Sequence, residues 1–222
     1  MPALDGPRWG PGNGGAPRMI VFLLHGYGAD GNDLIELAPH WGQAVPEALF
    51  IAPHAPMPCD GGPYGRQWFS LVDRSPAMLL AGARTAQPLL DDAIAAECAA
   101  AALPETAVAL MGFSQGAMMA LFAGLRRPVA PAAILAFSGR MIGPEALAAE
   151  IRSRPPVLVV HGEADEVVPA QSGRDAESAL RTARVPVEAL YTPGLAHGID
   201  EAGLAAGALF LQRAAVGLAP QA

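Results

Sequence analysis

The sequence contains no lysine: all 14 of its basic residues are arginine, and 21 acidic residues give a formal net charge of −7. The missing amine excludes a Schiff-base lysine, a phosphate-loop lysine and a Ser-Lys catalytic pair. The acidic balance argues against a sequence-independent nucleic-acid binder and against electrostatic anchoring on anionic lipid, because both require a positive surface. We therefore expect no nucleic-acid partner.

The chain also has few charges and few cysteines. Charged residues make up 16% of the 222 residues, whereas hydrophobic residues make up 52%. This composition is too apolar for a disordered chain and too poor in charge for a coiled coil. Cys59 and Cys98 allow at most one disulfide and do not form a metal-binding motif, so we expect a reducing compartment and a cytoplasmic protein. No apolar run of about 18 residues is present, so we expect no membrane span.

The chain divides into a short leader and one domain. Nine of the first 17 residues are Gly or Pro, which predicts a flexible leader over residues 1–17. Residues 18–222 have the length of one domain and contain no internal repeat. Within this domain, Met57–Leu80 is a long connection rich in Pro, Gly and aromatic residues, which predicts a lid-like loop or a binding wall.

Short apolar segments alternate with helical patterns along the domain. The predicted strands are Met19–Leu24, Ala48–Ala52, Thr106–Met111, Ala132–Phe137, Pro156–Val160 and Val187–Tyr191. The predicted helices are Thr85–Ala102, Gln115–Arg127, Pro144–Arg152, Ala170–Ala183 and Ile199–Val216. Most of the strands are nearly continuous apolar runs, as in strands buried on both faces. The alternation predicts an α/β fold with a mainly parallel twisted sheet, helices on both faces and no large cap domain.

One serine lies in a motif that is typical of a nucleophile. Ser114 is the centre of GFSQG at residues 112–116, between a predicted strand and a predicted helix. Such a tight turn pushes the hydroxyl outward and requires small residues on both sides. The alternative is that Ser114 only caps the following helix.

A serine nucleophile needs a base, and the base needs an acid to orient it. His197 is the only histidine after the fifth predicted strand and its loop, so it is the candidate base; the alternative is a loop histidine bonded to backbone. The loop HGEADEVVP offers Asp165 as the acid, in preference to Glu163 and Glu166, although Asp165 could be an ordinary turn residue. Backbone N–H groups in HGYGADG (residues 25–31) and at Gln115 could bind an oxyanion. A nucleotide-binding loop is disfavoured there, because the pattern is not G-x-G-x-x-G.

Five motifs together resemble the phospholipase/carboxylesterase family of α/β hydrolases. They are LLHGYGADG, GRQWFSL, GFSQGAMMAL, HGEADEVVP and the terminal AHGI, and they span about Met19 to Val216 in the order of that family. The resemblance implies a Ser114–His197–Asp165 triad, with the backbone N–H groups of Leu24 and Gln115 as the oxyanion hole. It also implies no metal or other cofactor, and a homodimer is expected from the resemblance alone.

The function that follows is hydrolysis of carboxylic esters, or of thioesters, through an acyl-enzyme. Trp68, Phe69 and Leu71 are candidate substrate-binding residues, and the alternative is that these aromatics only pin the loop to the core. A lysophospholipase or acyl-protein thioesterase is an alternative specific activity. The alternative in which the protein is not an enzyme is a non-catalytic ligand-binding module of the same fold.

Overall fold

The computed structural model describes residues 4–218, and a seven-stranded sheet runs through the centre of the molecule. Nine strands are present: β1 (Arg8–Trp9), β2 (Met19–Leu24), β3 (Ala48–Ile51), β4 (Met57–Pro58), β5 (Arg66–Gln67), β6 (Val108–Phe113), β7 (Ala133–Phe137), β8 (Val157–Gly162) and β9 (Val187–Thr192). The central sheet has the order β1-β3-β2-β6-β7-β8-β9, and β4 pairs with β5 in a separate antiparallel hairpin. All neighbours in the central sheet are parallel except β1 and β3. Every strand predicted from the sequence is present, with bounds that agree within two residues.

Helices cover both faces of this sheet. They are α1 (Gly31–Ile35), α2 (Ala38–Ala44), α3 (Pro76–Ala101), α4 (Gln115–Arg126), α5 (Pro144–Glu150), α6 (Ala170–Thr182) and α7 (Glu201–Gly217). Alternate side chains of β2 enter two separate apolar cores, because successive residues of a strand point to opposite faces. One core joins the sheet to α3, α4, α5 and α6, and the other joins it to α1, α2 and α7. Among the described residues, no helix combines the length and the apolarity needed to cross a membrane.

The helix predicted from Thr85 begins nine residues earlier than expected. Helix α3 starts at Pro76, directly after Ser75 in extended backbone conformation, and it continues through Pro88. Proline suits the first turn of a helix because its missing N–H has no acceptor there. Thr85 is an interior residue, and its hydroxyl donates to the carbonyl of Ala81 at 3.0 Å. The prediction placed the start at Thr85, three residues before Pro88, whereas Pro76 marks it.

The segment Met57–Leu80, predicted as a lid-like loop, contains two short strands and the start of a helix and is otherwise irregular. Residues 57–67 contain the β4–β5 hairpin, and the last five residues of the segment belong to α3. The Arg66 guanidinium fixes the hairpin by donating to the carbonyl oxygens of Ala55 and Pro56. The sequence did not predict this hairpin, because its composition is rich in Pro and Gly and each strand is only two residues long. Strands this short show no alternating pattern.

Part of the leader predicted over residues 1–17 pairs with the sheet edge at β1. Arg8 and Trp9 pair with the edge strand β3, and the ring of Trp9 lies 5.9 Å from that of Phe50 in an edge-to-face arrangement. The N–H of Ala52 donates to the carbonyl of Pro7 at 3.0 Å. A strand of two residues is too short to show an alternating pattern in the sequence. Its conformation is fixed by pairing with the edge strand β3.

Candidate active site

The strand-to-helix turn holds Ser114 in a strained backbone conformation and leaves it half-buried. Ser114 follows β6 directly and has φ 55° and ψ −117°, a region that costs a non-glycine residue about 1–3 kcal/mol. Its N–H donates to the carbonyl of Phe137 at 2.9 Å, and its carbonyl accepts from Met118 in the first turn of α4. The hydroxyl makes no capping hydrogen bond to α4. The structure therefore does not support the alternative in which Ser114 only caps the helix.

Both glycines of GFSQG are required by close backbone contacts. A Cβ on Gly112 would lie 2.2 Å from the carbonyl of Gly116, and a Cβ on Gly116 would lie 1.8 Å from the carbonyl oxygen of Leu24. These distances are far below any van der Waals contact, and the neighbouring atoms are main chain that cannot turn aside. The turn can therefore hold Ser114 in place only with glycine at both positions.

The predicted acid and base meet across two loops. The Nδ1 atom of His197 lies 2.7 Å from Oδ2 of Asp165, whose side chain is completely buried, whereas the imidazole is 17% exposed. Asp165 follows β8, and His197 follows β9, so parallel strands bring both loops to the same edge of the sheet. The structure thus joins two residues that are 32 positions apart in the sequence.

Backbone hydrogen bonds fix these two loops to each other. The N–H of Glu163 donates to the carbonyl of Thr192 at 2.9 Å, and the N–H of Ala164 donates to the carbonyl of Leu195 at the same distance. Gly162 allows this close approach, since a Cβ there would lie 2.2 Å from the Leu195 carbonyl oxygen. The Asp165–His197 pair therefore lies on two loops that are hydrogen-bonded to each other.

Four donors surround the Asp165 carboxylate. Its Oδ1 accepts from the N–H groups of Val167 at 2.9 Å and Val168 at 2.8 Å, and its Oδ2 lies 3.4 Å from Nε2 of His161 in addition to His197. Burial raises the pKa of Asp165, but the hydrogen bonds from His197 and from the two backbone N–H groups outweigh it, so the pKa is lowered. Asp165 is therefore a carboxylate at neutral pH.

His161 braces the loop that carries Asp165. Its Nε2 lies 2.7 Å from the carbonyl of Val168, which requires the proton on Nε2, and the side chain is completely buried. This N–H therefore donates to Val168, and the Nε2 atom also lies 3.4 Å from Oδ2 of Asp165. His161 thus closes the turn whose N–H groups hold Oδ1 of the carboxylate.

Phe113, in the turn that carries Ser114, contacts His197. The ring of Phe113, the residue before Ser114, lies 4.8 Å from the imidazole of His197. The hydrogen bonds of residues 4–218 do not include one between the Ser114 hydroxyl and this imidazole. Catalytic hydrogen bonds are often long in unliganded sites and shorten when substrate binds.

The two predicted oxyanion donors differ in their surroundings. Gln115 is the first residue of α4, where N–H groups have no acceptor within the helix and the helix dipole favours negative charge. Leu24 is the fully buried last residue of β2 and is paired with Gly112. In the loop after β2, Gly28 N–H donates to the Arg66 carbonyl, while Tyr27 N–H has no backbone acceptor within the described chain. Within the HGYGADG segment, Tyr27 is thus a candidate donor beside Leu24.

The loop with the proposed substrate-binding aromatics is fixed to the core. Trp68 and Phe69 are only 0% and 1% exposed, so they have almost no surface to offer a substrate. The buried amide of Gln115 accepts from the N–H of Trp68 at 2.9 Å and donates to the carbonyl of Phe69 at 2.7 Å. The substrate-binding role predicted for these two aromatics is therefore corrected to the structural alternative. Leu71 is half-buried and stays a candidate.

The β4–β5 hairpin holds the loop after β2. The Gly28 N–H donates to the Arg66 carbonyl at 2.9 Å, and the Arg66 N–H donates to the Ala29 carbonyl at 2.8 Å. The Tyr27 hydroxyl donates to the carboxylate of Asp60, and this hydrogen bond raises the pKa of the phenol. The hairpin therefore supports the candidate oxyanion loop from outside.

Clefts lie at both ends of the sheet. One of about 620 Å³ lies at the amino ends of β2 and β3, beside the end of α7. Another, of about 330 Å³, lies after β7, at the carboxyl end where Ser114, Asp165 and His197 are placed. Within residues 4–218, no three His, Cys, Asp or Glu side chains converge as metal ligands, and both cysteines are free thiols.

The fold and this arrangement define an α/β hydrolase, and comparisons with known proteins agree. Residues 13–214 match the profile of the phospholipase/carboxylesterase family, so the chain belongs to that family. The crystal structure of esterase PE8 superposes with a TM-score of 0.90 at 43% identity, covering 95% of this chain and 99% of that one. These findings confirm the family and the fold class that the five motifs predicted.

Two curated relatives are similar over most of their length. Acyl-protein thioesterase 1 of Neurospora crassa is 29% identical over 194 residues, which are 80% of this chain and 79% of the relative. Esterase YpfH of Escherichia coli is 27% identical over 183 residues, which are 82% of this chain and 77% of the relative. The hydrolase class predicted from the sequence is thus confirmed at the level of the family.

Proposed function

We propose that the protein hydrolyses carboxylic esters through a Ser114–His197–Asp165 triad and an acyl-enzyme. The observation that carries this proposal is the 2.7 Å contact between His197 Nδ1 and a buried Asp165 carboxylate, with the imidazole against Phe113. A carboxylate on Nδ1 places the proton there and leaves the lone pair on Nε2, the atom that a general base needs. The names of the related esterases support the same activity.

In the first half of the reaction, the Ser114 hydroxyl attacks the acyl carbonyl while His197 Nε2 takes its proton. The tetrahedral oxyanion is stabilised by backbone N–H groups and collapses as the imidazolium protonates the leaving alcohol, which departs. Water then attacks the acyl-enzyme, with His197 again as the base, and releases the acid and free Ser114. Asp165 remains ionised and stabilises the imidazolium.

The oxyanion donors in this proposal are the N–H of Gln115 and one N–H from the end of β2 or the loop after it. Leu24 remains the donor implied by the family resemblance. The structure favours adding Tyr27, because its N–H belongs to the loop that the hairpin fixes and has no backbone acceptor in the described chain. One such donor contributes about 3 kcal/mol to stabilisation of the transition state.

A nucleophile deletion tests the triad. Ser114→Ala is expected to lower kcat by about 10⁴-fold or more while the thermal unfolding transition stays cooperative, because the hydroxyl makes no capping bond. Ser178→Ala is the matched control, since Ser178 is an exposed serine on α6. Full esterase activity in Ser114→Ala would contradict the proposal and favour a non-catalytic binding module or another nucleophile.

Thioesters are the second candidate substrate class, because one relative is named acyl-protein thioesterase 1. The same triad would expel a thiol in place of an alcohol, with the same proton transfers. A chain-length series of nitrophenyl esters, compared with an acyl-CoA and a lysophospholipid, separates these activities by kcat/KM. The cytoplasmic location and the homodimer stay predictions.

A further inference from the structure

The cleft of about 330 Å³ lies after β7, at the carboxyl end of the sheet. A Cβ on Gly139 would lie 3.3 Å from the backbone carbonyl oxygen of Ser114, and Arg140, the next residue, lines the cleft. The cleft continues between the start of α3, the segment after β7 and helix α6. This volume falls within the range of small-molecule sites.

Arg140 differs from the other arginines near the site. The hydrogen bonds and ion pairs of residues 4–218 include none from its guanidinium, although the residue is half-buried. Arg66, by contrast, donates to two carbonyl oxygens, and Arg174 is paired with Glu163. A guanidinium presents donors in a planar fork that fits a carboxylate, and a partly buried one without an acceptor favours a ligand that supplies it.

The remaining lining of the cleft suits a short apolar body. Its floor includes Leu79, Met141 and Ile142, which are all nearly inaccessible to solvent and belong to the core beside α4. Glu145 and Asp175 also line the cleft, but neither lies within ion-pair distance of Arg140 in the described structure. The guanidinium is therefore the one positive group that lines the cleft.

We propose that this cleft is an acyl-side subsite in which Arg140 binds a carboxylate at the far end of the acyl group. The preferred substrates would then include half-esters of short dicarboxylic acids, whose methylene groups lie on the apolar floor. This inference rests on the proposed esterase function and names a substrate class for it. Arg140 binds the part of the substrate that does not react, so its effect is on selectivity.

The test compares monomethyl glutarate with methyl pentanoate, which replaces the terminal carboxylate by a methyl group. The quantity measured is the ratio of kcat/KM for the half-ester to kcat/KM for the neutral ester. Arg140→Gln is expected to lower this ratio about tenfold or more, mainly through the KM of the half-ester, because a charge-assisted hydrogen bond is lost. Arg140→Lys should lower the ratio less than Arg140→Gln does. Lysine keeps the positive charge but loses the planar arrangement of guanidinium donors.

Arg152→Gln is the matched control, because Arg152 is exposed, makes no side-chain hydrogen bond among the described residues and does not line the cleft. A ratio that is the same in Arg140→Gln as in the wild type overturns the subsite and leaves the esterase proposal intact. Equal losses on both esters also overturn it, since they indicate a structural role. No hydrolysis of either ester by the wild type refutes the esterase function itself and the subsite with it.

Discussion

At the scale of single residues, the candidate site depends on how the Asp165 carboxylate is held. Its two oxygens receive hydrogen bonds from His197 and from the backbone of Val167 and Val168, with His161 close to one of them. A carboxylate with this many donors keeps its charge and its orientation. Its neighbours therefore affect the base indirectly, by fixing the acid.

His161 is expected to act as such a positioning residue. His161→Leu removes the N–H that closes the Asp165 turn and should lower kcat about tenfold with little change in KM, because the acid would be held less firmly. His161→Gln, which offers an N–H near the same place, should recover part of kcat. A purely structural role would instead lower the melting temperature in both variants and leave kcat at the wild-type value below that temperature.

The lowered pKa of Asp165 makes a prediction about stability and pH. Its folded-state pKa lies below the unfolded value of about 3.8, so its contribution to the free energy of unfolding is present above pH 3.8 and is lost as the pH falls through the folded-state pKa. Asp165→Asn should therefore reduce the free energy of unfolding by about 1–3 kcal/mol at pH 7. Urea titrations should show the difference from wild type narrowing below about pH 4; a constant difference down to pH 2 would contradict this account.

At the scale of elements, the turn between β6 and α4 is tied to the end of β2. Gly116→Ala would place a Cβ 1.8 Å from the Leu24 carbonyl oxygen, so α4 and Ser114 must shift. We expect a loss of about 2–3 kcal/mol in the free energy of unfolding, as for an overpacked core, and a fall in kcat/KM of about 100-fold from misplacement of Ser114.

Gly217→Ala provides the control for Gly116→Ala. A Cβ at Gly217, the last residue of α7, would meet no atom within 4 Å. Alanine there should be neutral or stabilising by up to about 1 kcal/mol, with activity retained. The two substitutions are compared by denaturation and by ester hydrolysis. Equal effects on the free energy of unfolding and on kcat/KM would show that the close contact at Gly116 does not cause the losses.

The sequence predicted the elements that carry their own pattern. The apolar runs of β2 and β8 and the glycines around Ser114 are local signals, and the structure has all of them. Helix α3 was misjudged because two prolines, Pro76 and Pro88, both fit a helix start and only tertiary packing on the sheet selects the first. Trp68 was misread because aromatic character does not reveal whether a ring faces a substrate or the core.

At the scale of the whole molecule, the packing of β1 and the candidate site lie at different parts of the sheet. Strand β1 lies at one edge, where Trp9 packs on Phe50, whereas Ser114 follows the central strand β6. Trp9→Ala should lower the free energy of unfolding by about 2 kcal/mol or more through lost aromatic packing. Its kcat/KM at a temperature well below unfolding should stay within about twofold of wild type, and a large loss of activity would show that the edge and the site are coupled.

The parallel topology brings together groups that the sequence separates. Ser114, Asp165 and His197 follow β6, β8 and β9 at one end of the sheet, and the paired loops after β8 and β9 fix the acid to the base. No local pattern in the sequence encodes the hydrogen bonds between Ala164 and Leu195 or the approach of His161 to Asp165. These contacts come from the crossover order of the strands, which only the folded chain shows.

The most direct test of the triad is covalent labelling with a fluorophosphonate, followed by peptide mass mapping. We expect one adduct, on Ser114, formed rapidly in the wild type, absent in Ser114→Ala and at least 100-fold slower in His197→Ala. An adduct on another residue, or an equal labelling rate in His197→Ala, would contradict the account.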